Sequence, residues 1–105
     1  MTDSFCVILT TVGNREEADR IAEELVSRHL AACVQITDIA STYWWKGKVT
    51  KDSECLLLIK TAAHLYKQVE AAVLEMHSYE VPEIVQLPIV QGLDRYLSWV
   101  TESTS

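Results

Sequence analysis

The sequence is poor in glycine, proline and basic residues. Only three glycines and two prolines occur among 105 residues, which is too little glycine for the loops that cradle phosphate groups in many nucleotide-binding proteins. Nine lysines and arginines stand against fifteen acidic residues, so the net charge is −6. A nucleic-acid interface needs a clustered basic footprint, and this balance therefore argues against DNA or RNA as a partner.

Cysteine is also sparse, and long hydrophobic runs are lacking. Cys6, Cys33 and Cys55 are widely spaced and form no C-x-x-C pair, which argues against a zinc ribbon or a redox dithiol. The apolar run at 5–11 follows no basic region and is too short for a signal peptide or a membrane span. We therefore expect a cytoplasmic protein with reduced thiols and no membrane partner.

No catalytic pattern emerges from the polar residues. The sequence contains neither a nucleophile–base–orienter set nor a metal-hydrolysis motif, so we do not expect an enzyme. The composition, 49% hydrophobic and 23% charged, is that of a folded protein. Its length predicts one domain over residues 1–105.

Hydrophobic periodicity predicts two repeats of strand, helix and strand. A buried strand at 5–11 precedes a helix that starts at Asn14, with Glu17 as its capping-box partner. Its predicted apolar stripe consists of Ala18, Ile21, Ala22, Leu25 and Val26, and the helix is expected to end near Arg28–His29. The other predicted elements are a strand at 32–45 that is irregular around 38–41, a turn at 46–48, a strand at 49–61, a helix whose apolar stripe runs from 65 to 76, a strand at 83–90 and a C-terminal helix after Gly92.

This order predicts an α+β, ferredoxin-like βαββαβ sandwich with an additional C-terminal helix. A weak internal repeat supports it, because VILTT at 7–11 matches LLIKT at 57–61. Pro88 favours an edge position for the last strand. Two helices would cover one face of the sheet and leave the other face apolar and open, so the pattern predicts that another copy of the chain covers that face.

Three consecutive aromatic residues flank the predicted hairpin turn. Tyr43, Trp44 and Trp45 lie beyond the part of the sheet that two short helices can cover. Neighbouring strand residues point to opposite faces, so both tryptophans cannot face one core. Because aromatic side chains are enriched at the centres of interfaces, we predict that this hairpin contacts another subunit. The alternative is that one tryptophan folds back into its own core.

Several blocks of the chain resemble the CutA family of divalent-cation tolerance proteins. The blocks are HLAACVQI, YWWKGKV, LLIKT, YEVPEIVQLPI and YLSWV, which occur in the same order as in the family, and the resemblance as a whole runs from about Val7 to Val100. The resemblance implies a ferredoxin-like subunit in a tight homotrimer similar to that of PII signalling proteins. It also implies that the long central hairpins join neighbouring subunits.

The resemblance further implies a role in the response to metal ions, with copper or another divalent cation bound weakly. The ligand pattern attributed to some members is a cysteine late in the first strand and two adjacent histidines. Thr10 and Met76 replace two of these residues here, and only His77 matches. His77 is therefore the candidate metal ligand, with capping of the helix end or a hydrogen bond to a small ligand as the alternatives. A cluster of the three cysteines is a further option, and core packing is the alternative for them.

Lys60, Tyr79 and Glu83 lie at predicted strand–helix junctions within the resembling blocks. Clefts between subunits bind small ligands in related trimers, so these residues are candidates for binding a small anion or metabolite. Lys60 and Glu83 could instead form an ion pair. Three hypotheses stay open at this point: a weak metal-binding trimer, a PII-like trimer with an anionic ligand, and a structural or partner-anchoring trimer.

Overall fold

The computed structural model describes residues 4–105, so residues 1–3 of the predicted domain lie outside it. The elements are β1 (Phe5–Val12), α1 (Arg15–Ser27), β2 (Cys33–Trp45), β3 (Lys48–Ala62), a 3₁₀ turn (Ala63–Leu65), α2 (Tyr66–Met76), β4 (Ile84–Ile89) and α3 (Asp94–Ser103). The four strands form one sheet in the order β2-β3-β1-β4, and every neighbouring pair is antiparallel. Among residues 4–105 no helix has the length and apolar character needed to cross a membrane.

The predicted order of elements is confirmed, with small shifts at their ends. The irregularity expected at 38–41 is wrong, because β2 pairs with β3 without interruption from Asp38 opposite Cys55 to Ser41 opposite Asp52. The hairpin turn has two residues rather than three. Lys46 and Gly47 have φ angles of 51° and 77°, the left-handed conformation that a type I′ turn requires at both positions.

Specific capping contacts define both ends of α1, and the sequence predicted only some of them. Asn14 caps the helix, and its Oδ1 accepts a hydrogen bond of 2.8 Å from the Glu17 amide. Glu17 does not return a bond to Asn14, so the predicted reciprocal capping box is wrong. The helix ends as expected, with His29 at φ 60° and the Leu30 amide bonded to the Leu25 carbonyl at 2.9 Å, the pattern of a Schellman cap.

The core lies between one face of the sheet and helices α1 and α2. Strand register places Ile8 opposite Ile59 on this face, and both side chains are fully buried. The helical stripes predicted from the sequence supply the facing layer. Its members are Ala18, Ile21, Leu25, Val69, Ala72 and Val73.

The opposite face of the sheet is apolar and only partly covered. Val7 and Leu9 on β1 and Leu58 on β3 are half-buried, whereas Val85 and Leu87 on β4 are 44% and 50% exposed. Helix α3 packs against β3. Within residues 4–105, strand β4 pairs only with β1, which confirms the edge position expected from Pro88.

The β2–β3 hairpin extends far beyond the rest of the sheet. Strand β1 stops at Val12, opposite Cys55, so the hairpin beyond that point pairs with no third strand among the described residues. The chain measures 47 × 25 × 22 Å and has a radius of gyration of 14.4 Å. A compact domain of this length has a radius of about 13 Å, so the hairpin makes the chain elongated.

Candidate functional site: the 77–83 segment and its neighbouring cleft

The segment 77–83 joins α2 to β4 and begins with a buried histidine. His77 caps α2 in an extended conformation, and its side chain is fully shielded from solvent. Its Nε2 lies 2.7 Å from the carbonyl oxygen of Thr11. Because a carbonyl only accepts hydrogen bonds, Nε2 carries the proton and donates.

The second ring nitrogen of His77 is also engaged. Nδ1 accepts a hydrogen bond of 3.1 Å from the amide of Tyr79. This pair of contacts requires the neutral imidazole protonated at Nε2. A carboxylate oxygen of Glu17 lies 3.7 Å from Nδ1.

Glu17 fastens the same segment to the first turn of α1. Its side chain is almost completely buried, and it accepts hydrogen bonds of 2.9 Å from both the amide and the hydroxyl of Ser78. The helix N-terminus favours a negative charge at this position. Arg20 donates to the carbonyl of Met76 at 3.0 Å, so α1 holds both sides of the end of α2.

Tyr79 connects the segment to the base of the hairpin. Its hydroxyl donates to Glu54 at 2.8 Å. Burial, followed by this bond and the charge of Glu54, raises the pKa of the Tyr79 phenol above its ordinary value. A Cβ on Gly13 would lie 3.3 Å from the Tyr79 hydroxyl, so the glycine leaves room for this contact.

A cleft of about 430 Å³ opens beside these residues, where β1 ends and the hairpin continues. Arg15 approaches Asp38 at 3.8 Å, and the Cys55 thiol donates to the same carboxylate at 3.7 Å. Burial and this contact raise the pKa of Cys55. The cleft is lined by Gly13, Arg15, Asp38, Ile39, Ala40, Ser53, Glu54 and Cys55.

Sequence reasoning missed Arg15, Asp38 and Glu54 as cleft residues. No motif links them, because they meet only through the pairing of β2 with β3 and the position at which β1 stops. Asp38 brings one carboxylate to the rim and Glu54 brings a second that is largely buried. Arg15 is the cation that faces Asp38, so the cleft combines both signs of charge.

The structure brings together only part of the predicted ligand-binding set. Tyr79 lies at the end of the sheet where β1 finishes, and Glu83 precedes Ile84, which is opposite Thr10. Lys60 lies farther along the sheet, opposite Val7, and donates to the Gln35 side chain. Lys60 and Glu83 form no ion pair within the described chain. A cleft between subunits that uses these residues stays a prediction.

The described residues of one chain do not fit a bound metal ion. Both nitrogens of His77 are engaged in backbone contacts. Cys6 and Cys55 face the core, whereas Cys33 pairs opposite Lys60 on the other face of the sheet, so the three thiols do not converge. Across residues 4–105, no group of three or more histidine, cysteine, aspartate or glutamate side chains is placed to share a metal ion.

The hairpin tip exposes the three predicted interface aromatics. Trp44 is 74% exposed and Trp45 52%, and neither folds back into the core. Their register partners, Val49 and Lys48, are adjacent residues of β3, so the two indoles lie on opposite faces of the ribbon. Tyr43 points its hydroxyl to Asp52, and that contact raises the pKa of the phenol.

Comparison with known proteins identifies the family. Residues 6–103 match the family model described as CutA1 divalent ion tolerance protein. The chain belongs to the CutA1 family. The divalent-cation tolerance protein CutA of Thermus thermophilus is 46% identical over 99 residues, which is 93% of this chain and 96% of that protein. A chloroplastic CutA of Arabidopsis thaliana is also 46% identical over 99 residues, which is 93% of this chain but only 54% of the plant protein.

Solved CutA1 structures share the whole fold. The Archaeoglobus fulgidus structure, described as a periplasmic divalent cation tolerance protein, superposes with a TM-score of 0.95 at 39% identity and covers 96% of this chain and 99% of its own. The Thermus thermophilus structure has a TM-score of 0.92 at 45% identity, with 96% and 99% of the two chains covered. The names of the Thermus and Archaeoglobus proteins describe tolerance proteins rather than enzymes, and the names that say periplasmic and chloroplastic place family members in different compartments.

Proposed function

We propose that this chain acts as a cytoplasmic homotrimer in the tolerance of divalent cations, with a ferredoxin-like subunit and a PII-like assembly. The carrying observation is the apolar face of the sheet opposite α1 and α2. Val85 and Leu87 are about half exposed there, next to the half-buried leucines and valines of β1 and β3. A continuous apolar surface of this kind is typical of a subunit interface.

The projecting hairpin supports the same assembly. Trp44 and Trp45 present large apolar surfaces on opposite sides of a ribbon that no other part of the described chain covers. Large aromatic side chains supply much of the binding energy in many interfaces. A hairpin that reaches beyond its own sheet can bury both indoles only against another copy or another partner.

Weak binding of copper or another divalent cation belongs to this proposal, but it requires donors from more than one subunit. A stable metal site usually needs three or four convergent ligands, and the part of one chain that the structure describes does not provide them. Symmetry brings equivalent residues of different subunits together.

The proposed cytoplasmic location rests on the three free thiols, Cys6, Cys33 and Cys55, and fractionation of the native cells tests it.

The cleft favours a second candidate function. Its position beside the hairpin base, with Arg15 facing Asp38, suits a small ligand held between charged and apolar walls. The ligand of a PII-like trimer would then contact this cleft, together with Tyr79 or Glu83. Thermal-shift measurements with a panel of anionic metabolites test this alternative. A shift that is lost in Arg15→Ala but kept in the exposed Arg95→Ala would support it.

The assembly is tested by native mass spectrometry over a range of protein concentrations. We expect a trimer for the wild type. The double variant Trp44→Ala/Trp45→Ala should lose several kcal/mol of association free energy, since truncated hot-spot aromatics cost about 2–4 kcal/mol each. Leu74→Ala is the matched control, because Leu74 is 53% exposed on α2, away from the hairpin. A double variant that stays trimeric at nanomolar concentration would contradict the interface.

The same instrument tests the cation arm. Chelator-stripped protein is titrated with Cu(I) and Cu(II), and the number of bound ions per assembly is counted. Uptake that depends on the trimer and disappears in the dissociated double variant would support donors shared between subunits. Specific uptake by the monomeric double variant would contradict it. A trimer with no specific uptake would leave the assembly intact and remove the copper function.

A further inference from the structure

We infer that His77 is a neutral imidazole that clamps the 77–83 segment to the end of β1, and that a cation reaches this histidine only by opening the clamp. Every contact that carries the inference lies within one chain. The inference therefore goes beyond the proposed trimer and stands or falls separately from it.

The two hydrogen bonds of the His77 ring define its protonation state. Nε2 lies 2.7 Å from the Thr11 carbonyl, and Nδ1 lies 3.1 Å from the Tyr79 amide nitrogen. A carbonyl requires a donor and an amide N–H requires an acceptor. Only the neutral tautomer with its proton on Nε2 satisfies both contacts.

The contacts of His77 leave neither ring nitrogen available to a metal ion. An imidazole binds a metal through an unprotonated nitrogen whose lone pair is free. Nε2 has no free lone pair here, and the lone pair of Nδ1 is occupied by the Tyr79 amide. Because the side chain is fully buried, an ion would also have to displace the surrounding protein before it reached either atom.

Displacing the His77 ring from its two partners would cost free energy. Moving the ring takes Nε2 away from the carbonyl of the buried Thr11, and a buried backbone acceptor without its partner is costly. The same movement takes Nδ1 away from the amide of Tyr79, which is a more exposed contact. The same movement would disturb the neighbouring Ser78, whose amide and hydroxyl both donate to the buried Glu17. The closed clamp and a His77–metal bond therefore exclude each other.

This mutual exclusion determines how a bound cation shifts the equilibrium between the closed and the opened 77–83 segment. A ligand stabilises the state to which it binds, so a cation that uses His77 favours the opened segment. We expect that Cu(II), the strongest binder among the common divalent ions for such ligands, binds through His77 only in molecules whose 77–83 segment has opened. Any His77-dependent uptake should come with faster exchange of the Tyr79 amide.

Nitrogen-15 NMR of the imidazole rings in metal-free protein tests the clamp directly. We expect His77 to show a protonated Nε2 and an unprotonated Nδ1. The Tyr79 amide should exchange with solvent roughly tenfold faster in His77→Ala than in the wild type, as expected when an amide loses its hydrogen-bond acceptor. An Nδ1-protonated ring would overturn the inference without any need for a variant.

The metal arm uses Cu(II) with the wild type, His77→Gln and His64→Gln. His64 is exposed, so His64→Gln controls for uptake by a surface histidine. Equal Cu(II) uptake by wild type and His77→Gln supports the inference, as does His77-dependent uptake with faster exchange of the Tyr79 amide. Cu(II) uptake that is present in the wild type and in His64→Gln, reduced in His77→Gln, and accompanied by no faster exchange of the Tyr79 amide would overturn it. Uptake and amide exchange are compared at one protomer concentration and both report contacts within one chain, so failure of this inference is distinguishable from failure of the proposed trimer.

Discussion

Thr10→Val is expected to stabilise the protein. Thr10 is fully buried on the core face of β1, between Leu57 on β3 and Ile84 on β4. Its hydroxyl has no hydrogen-bond partner among the described residues. Valine has nearly the same shape and replaces that hydroxyl with a methyl group, so the substitution removes an unpaired polar group without opening a cavity.

The magnitude follows from the cost of an unpaired polar group. Burial of a hydroxyl without a hydrogen bond costs about 1–3 kcal/mol in proteins. The free energy of unfolding should therefore rise by at least about 1 kcal/mol in Thr10→Val. Thr61→Val is the matched control, because Thr61 is also fully buried on the same face but donates to the Leu30 carbonyl at 2.7 Å.

The control should change stability in the opposite direction. Loss of the Thr61 hydrogen bond should cost about 1 kcal/mol or more, because the Leu30 carbonyl loses that partner. Equilibrium unfolding in urea at one fixed protomer concentration compares the variants, since association shifts apparent stability. A Thr10→Val variant destabilised as much as Thr61→Val would refute the reasoning and show that the Thr10 hydroxyl is satisfied in solution.

Two further predictions concern the contacts of the 77–83 segment. Glu17→Gln should lower the free energy of unfolding by about 1–3 kcal/mol, because a side-chain amide has one oxygen and accepts the two Ser78 hydrogen bonds less well than a carboxylate does. Glu23→Gln is the control and should change stability little, because Glu23 is exposed. Equal effects of the two substitutions in urea unfolding would contradict this role of Glu17. The folded state raises the pKa of Tyr79, so the stabilisation of its neutral form is complete below the ordinary tyrosine pKa of about 10 and is lost as pH rises above it. Stability should therefore fall more steeply above pH 10 in wild type than in Tyr79→Phe, and parallel pH profiles would contradict the assignment.

Local patterns predicted the elements well because each depends on neighbouring residues. The apolar stripes of α1 and α2, the Asn14 cap and the edge position of β4 follow from spacing and from individual side chains. The predicted irregularity at 38–41 failed for a physical reason. Polar and small residues in that stretch weaken the strand signal, but continuous pairing with β3 satisfies the backbone and overrides it.

The role of Glu17 shows where local reasoning ended. Its position three residues after Asn14 indicated a capping box, yet its carboxylate is bonded to Ser78, sixty-one residues away. Sequence spacing cannot distinguish these two outcomes, because the competing partner arrives only when α2 packs against α1. The same holds for the cleft, whose Arg15, Asp38 and Glu54 converge through strand register alone.

The sequence by itself determined the order of strands and helices, the apolar faces and the family resemblance, because these properties are carried by periodicity and by contiguous blocks. Only the tertiary structure decided which groups meet. It separated Lys60 from Tyr79 and Glu83, placed Cys33 on the opposite face from Cys6 and Cys55, and engaged both nitrogens of His77. A residue's chemistry depends on the atoms within hydrogen-bonding distance, and the packing of distant segments sets those distances.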